Sequence, residues 1–190
     1  MRGFIDPTAL DLAVKTVAIK EAEEDMIING DLTTNPEEPD GMIQLISTNS
    51  TAISASVTLV DIRAEIATTF NANGAVTLAV TDVSTHNYIK NLLMDFQRQP
   101  APPAEGLPFG IPGGFQFDEL SFIKDRFMPT TSTSRRIFLL DMRYIFMAVL
   151  QDVTYEELAK INDSNKYMLK EYLAFIMTFE GSSAQITSIT

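Results

Sequence analysis

Few residues of this 190-residue chain are equipped for chemistry. His86 is the one histidine, and the only side chain whose ordinary pKa suits proton transfer near neutrality. Asp82, Ser84 and Thr85 stand close to it in sequence. A Ser-His-Asp site can be assembled from distant segments, so an α/β hydrolase-like enzyme using His86 is one class of function to weigh. No Gly-x-Ser-x-Gly elbow occurs, and the plainer expectation is a solvent-exposed histidine on the first turn of a helix.

Glu21, Glu23, Glu24 and Asp25 form an acidic cluster, but successive helix positions point such carboxylates apart, which predicts a solvated face. Gly106, Gly110, Gly113 and Gly114 lack the Gly-Lys-Ser/Thr ending of a phosphate loop, and the prolines among them remove N–H donors. Arg135-Arg136 reads as an ion-pairing patch. The absence of cysteine excludes disulfides and thiolate chemistry, and a lone histidine excludes a multi-histidine metal centre. These residues assign no catalytic residue, no cofactor-binding residue and no metal ligand, and they call for no cofactor.

Charge narrows the partners. With 14 basic against 25 acidic residues the formal charge is −11, which is unsuited to neutralising phosphates, so tight sequence-specific nucleic-acid binding is not expected. No apolar run approaches the ~20 residues that span a bilayer, and no secretory signal opens the chain, so no membrane partner and a cytoplasmic origin are expected.

The elements that would position these groups follow from periodicity. Asp6-Pro7 starts a helix with Leu10, Ala13, Val14, Val17 and Ala18 at helical spacing, and Asn29-Gly30-Asp31 stops it. Residues 32–40 read as loop and Met42 to Ile46 as a short strand. Leu59, Ile62, Ile66 and Phe70 mark a second helix. Val76, Leu78 and Val80 mark a half-buried strand. Asp82 or Ser84 caps a third helix striped by Ile89, Leu92, Leu93 and Phe96. Later strands are predicted at Leu120 to Phe127, Arg136 to Asp141, Tyr144 to Leu150 and Lys166 to Glu180. A tight turn at Asp141–Arg143 and a single helical turn at Tyr155–Lys160 complete the reading.

Residues 97–116 hold five of the nine prolines and four of the nine glycines, so they make a long loop whose apolar side chains have little local structure to bury them. Leu107, Phe109, Ile111 and Phe115 are thus candidates for a partner surface, the alternative being a loop folded over its own domain. An adaptor that uses this loop as a ligand surface is a further class of function to weigh.

The order of the pieces carries a resemblance. Glu24-Asp25-Met26-Ile27-Ile28-Asn29-Gly30-Asp31 followed by Asp40-Gly41-Met42 resembles the major capsid proteins of tailed phages, with their Hong Kong 97-type fold. Ile123 to Pro129, Arg136 to Asp141, Glu156 to Lys160, Glu171 to Glu180 and Ser183 to Ile186 look like that family's later strands and ending. The resemblance implies an α+β fold. Residues 1–49 would give a spine helix and the start of a peripheral domain. Residues 50–135 would give an axial domain carrying loop 97–116 near its tip, and residues 136–190 the peripheral return strands.

It further implies a structural subunit of a phage or prophage shell, not an enzyme, enclosing DNA. Its partners would be copies of itself in hexamers or pentamers, with scaffold and portal proteins beside them. Leu107, Phe109, Ile111 and Phe115 then become the candidates for self-association, and replacing them by Ser should weaken it without unfolding the chain. An encapsulin-type nanocompartment shell enclosing cargo enzymes is the alternative within the same fold. The N-terminal arm and extended hairpin loop usual before the spine helix have no room ahead of it, which suggests a truncated chain and gives no support to lysine–asparagine cross-linking.

Overall fold

The computed structural model describes residues 7–96, 115–161 and 164–190. Helix α1, Pro7–Asn29, runs as expected for 23 residues and ends where the Gly30 amide donates to the Met26 carbonyl at 2.9 Å. The chain then loops through 31–40. Met42–Leu45 is not a strand but a single helical turn, α2, with Gly41 at its N-cap. Met42 and Ile46 are both buried, four residues apart on one face. A run of five mostly apolar residues does not separate strand from buried helix by pattern, and here the backbone bonds to Gly41 decide.

The remaining elements are β1 Ser50–Ala52, α3 Leu59–Asn71, β2 Leu78–Thr81, α4 Val83–Phe96, β3 Phe115–Phe117, β4 Leu120–Lys124, β5 Arg136–Leu140, β6 Ile145–Ile161, β7 Ser164–Met177, a 3-10 turn at Glu180–Ser182, and β8 Ala184–Thr187. Thr58 and Asp61 start α3 with a reciprocal capping box. Asn73 closes it at φ 63°, a left-handed conformation that asparagine tolerates.

Six strands form one sheet in the order β1-β8-β5-β2-β4-β3. Pairs β1–β8 and β2–β4 are parallel, and β8–β5, β5–β2 and β4–β3 are antiparallel. The strands after residue 135 therefore divide: β5 and β8 lie inside this sheet, while among the described residues β6 and β7 pair only with each other.

Strand alternation sorts the core into two halves. Ala79, Phe122, Ile137, Leu139 and Ile186 pack on one face with Ile62 of α3 and Ile89 of α4. Val80, Phe138 and Leu140 pack on the other with Ile28, Met42, Ile46 and Phe175 of β7. Strand β2 is thus covered on both faces rather than half-buried. Each side chain so buried is worth about 1.5–3 kcal/mol, which makes this double-faced sheet the main source of stability. On α3 the buried face is Ile62, Glu65 and Thr69, and Phe70, one position beyond Thr69, turns outward to 73% exposure instead of joining the stripe.

Ribbon β6–β7 is an antiparallel pair about 45 Å long at ~3.3 Å per residue, its base packed against the sheet through Ile145, Phe175 and Met177. Tyr155–Lys160 lies within β6, not in a helical turn, although Glu, Leu, Ala and Lys favour helix. Cross-strand partners outweigh that propensity: Tyr155 opposes Leu169, Glu157 opposes Tyr167, and Lys170 forms an ion pair with Glu156. Asp141–Arg143 is a turn, closed by Tyr144 N–H to the Asp141 carbonyl at 3.3 Å, but the strands it joins do not pair with each other.

Candidate functional site

His86 is 2% exposed, contrary to the expectation of a solvated first-turn histidine. Counting back from Ile89 and Leu93 by three and seven residues reaches His86, so the packing stripe of α4 extends one turn further toward its N-terminus. Burial holds the imidazole below the usual histidine pKa, and Lys124 and Lys90 add to that, while a hydrogen bond with Asn87 works the other way. Asp82 is the cap, accepting from the Ser84 and Thr85 amides at 2.9 and 3.3 Å, and lies 3.9 Å from Arg135 Nε. The nearby hollow of about 240 Å³ is lined by Ser84, Thr85, Tyr88, Arg135, Ile189 and Thr190, and His86 does not open onto it. His86 therefore does not face this hollow as a base beside a nucleophile.

The acidic cluster diverges as expected, and each member has a separate task. Lys20 donates to Glu23 at 2.8 Å and to Glu171 at 2.7 Å, tying α1 to β7. Glu21 pairs with Arg126 at 2.7 Å, and Asp25 accepts from Asn29 at 2.7 Å. Glu24 has its pKa raised by burial first and by the adjacent Asp125 second. Asn29 also donates to the Phe127 carbonyl at 2.9 Å, so α1 is held to the ribbon on one side and to the chain after β4 on the other. Among the described residues no group of three or more histidine, aspartate or glutamate side chains is placed to hold a metal ion.

Arg135 donates to the Thr130 carbonyl at 2.9 Å and Arg136 to Gln185 Oε1 at 3.0 Å, so this patch is engaged within the chain. Leu107, Phe109 and Ile111 lie outside the described residues. Phe115 opens β3, where its backbone pairs with Phe122. Among the described residues no helix is long and apolar enough to cross a membrane.

Two anchoring carboxylates escaped the sequence reading. Asp141 is fully buried and takes Arg143 Nη2 at 2.6 Å, Arg143 Nε at 2.9 Å and the Ala75 amide at 2.9 Å. The Arg143 guanidinium is the chief reason its pKa falls below the usual aspartate value. Glu180 accepts from the Ser47 amide at 2.6 Å and from the Thr48 amide, joining the ribbon's exit to the end of α2. Burial works to raise the Glu180 pKa, yet these hydrogen bonds hold it below the usual glutamate value. These side chains position elements against one another, and none faces a reacting group.

A chain built this way, with a double-faced sheet, a docked helix and a projecting ribbon, is similar to solved shell proteins. Against the holo-SrpI encapsulin complex from Synechococcus elongatus PCC 7942 the TM-score is 0.78 at 11% identity, covering 99% of this chain and 68% of that one. Against the capsid asymmetric unit of cyanophage A-1(L) it is 0.67 at 12% identity, covering 97% of this chain and 70% of that one. These likenesses establish the Hong Kong 97-type α+β fold. No curated protein sequence matches. The family model described as SU10 major capsid protein matches residues 3–190, nearly the whole chain. The chain therefore belongs to the SU10 major capsid protein family, the tailed-phage major capsid proteins, as a structural subunit of a viral capsid shell.

Proposed function

We propose that this subunit builds its shell as hexamers and pentamers of itself, with no catalytic step of its own, after gathering in the host cytoplasm with scaffold and portal proteins. The observation that carries this reading is the family match across residues 3–190. The arrangement of the two core halves is consistent with it. In this reading helix α1 with ribbon β6–β7 forms the peripheral part, and the six-stranded sheet with α3 and α4 forms the axial part that points to the capsomer centre. Strands β5 and β8, expected among the peripheral return strands of 136–190, are thereby assigned to the axial part instead. Segment 97–116 belongs to the axial part, where Leu107, Phe109, Ile111 and Phe115 would meet neighbouring copies around five- and six-fold axes. A net charge of −11 suits an inner surface that does not grip packaged DNA.

An encapsulin-type nanocompartment shares this fold, and the TM-score of 0.78 at 11% identity speaks to fold alone. The family match favours the capsid. Electron microscopy of particles assembled from the chain tests the reading: rings of five and six copies are expected. Replacing Leu107, Phe109, Ile111 and Phe115 by Ser should weaken their formation while leaving the melting transition in place. Loss of the melting transition would make these residues core and would remove the proposed contact.

A further inference from the structure

Beside the last turns of α1, the second core half leaves a hollow of about 170 Å³. Its floor is Ile28, Met42, Val80 and Leu140, all buried. Ile123 of β4 and Ile145, where the ribbon begins, also line it, so α1, α2, the sheet and the ribbon each contribute a wall. Protein interiors are packed with few voids larger than a water molecule. With aliphatic and thioether side chains on the floor, a water there finds no strong hydrogen-bonding side chain. An apolar space of about 150 Å³ stays dry and takes one benzene ring, so a six-carbon group suits this one better than solvent does.

The mouth has a different chemistry. Glu24 of α1 and Asp125, the residue after β4, both border it. They stand close enough for Asp125 to raise the Glu24 pKa, second only to burial among the causes. Arg126 offsets part of that effect, but its guanidinium pairs with Glu21 at 2.7 Å and lies over the Phe127 ring, 4.7 Å from its centre. Among the described residues neither Glu24 nor Asp125 has an ion-pair partner of its own. Asp125 accepts from the Phe127 amide at 2.8 Å, which holds its carboxylate in place.

Two neighbouring carboxyls resist ionising together, and a cation between them relieves the repulsion. The fitting occupant is therefore apolar at one end and cationic at the other. A metal ion has no use for the apolar floor, an anion meets like charge at the mouth, and a neutral hydrocarbon leaves the carboxylates unanswered. Volume limits the apolar end to one ring or a chain of similar size.

We infer that this hollow is a binding site for a small primary amine, with its hydrocarbon part against Ile28, Met42, Val80 and Leu140 and its ammonium between Glu24 and Asp125. A molecule seated there touches the helix, the sheet and the base of the ribbon at once. By binding the folded chain alone it stabilises their junction.

Benzylamine is the probe. Benzyl alcohol keeps the ring without the charge, and methylammonium keeps the charge without the ring. Met42 and Met142 line the hollow, so NMR signals of isotope-labelled methionine methyl groups report on it, with Met147 of β6 and Met168 of β7 as references. Benzylamine should shift Met42 and Met142 and leave the references in place. It should bind about tenfold tighter than benzyl alcohol, the worth of one charge-assisted hydrogen bond, and about tenfold or more tighter than methylammonium. Glu24 is exposed, so Glu24→Gln should fold normally and lose about that factor, and Asp125→Asn should do the same. If benzylamine moves Met42 and Met142 no more than the references, if benzyl alcohol binds as tightly, or if Glu24→Gln and Asp125→Asn bind benzylamine unchanged, the inference falls and the capsid reading is untouched.

Discussion

Gly30 and Gly41 meet backbone to backbone, the Gly41 amide donating to the Gly30 carbonyl at 2.9 Å. A Cβ on Gly30 would lie 2.6 Å from the Met26 carbonyl oxygen, and one on Gly41 would lie 2.8 Å from those of Met26 and Ile28. The last turn of α1 and the start of α2 close on each other only because neither residue has a side chain, which gives a physical reason for both glycines in the motif that carried the family resemblance.

Gly41→Ala should therefore destabilise the chain by on the order of 1–3 kcal/mol, the usual cost of forcing atoms into packed space. Gly181→Ala is the control, because its Cβ would meet nothing closer than the Phe179 ring at 3.4 Å. Denaturant midpoints of the two variants measure the difference, and equal midpoints would contradict the close approach.

His86 gives the pH dependence near neutrality. Its folded pKa lies below the ordinary value, so the unfolded chain binds the extra proton first as pH falls. The contribution is fully present above about pH 6.5 and is lost as pH drops through the lower folded value. Urea midpoints from pH 8 to about 5.5 should decline in the native chain and flatten in His86→Phe, because carboxylates titrate mostly below that window.

Asp141 contributes to the acid limb, alongside Glu180. Its depressed pKa means stability is present above about pH 4 and is lost as pH falls through the folded value. Asp141→Asn should cost about 1.5–3 kcal/mol at neutral pH, the worth of hydrogen bonds to a charged group, and should reduce the slope of stability below pH 5. An unchanged slope would show that Arg143 and Ala75 do not hold the ionised carboxylate.

What the sequence made legible was set by how far apart the partners lie. Helices α1 and α4 announced themselves through caps and stripes, and α3 through its stripe, because those signals are local. The placement of β5 and β8 between β1 and β2 was hidden, since register between strands dozens of residues apart leaves no local mark. Tyr155–Lys160 misled because its helix propensity is local while its partners, Tyr167 to Leu169, lie across the ribbon. His86 was recoverable by extending the Ile89–Leu93 stripe one turn. The doubly apolar runs at 145–150 and 172–177 were also visible as residue types, but their pairing with each other emerged only in the structure.

The central claim is that this chain works through surfaces that meet other copies of itself, and sedimentation velocity paired with electron microscopy across a wide concentration range tests it most directly. Rising sedimentation coefficients, with rings, sheets or shells in the images, are the predicted result. A single 21.1 kDa species at every concentration would contradict the account.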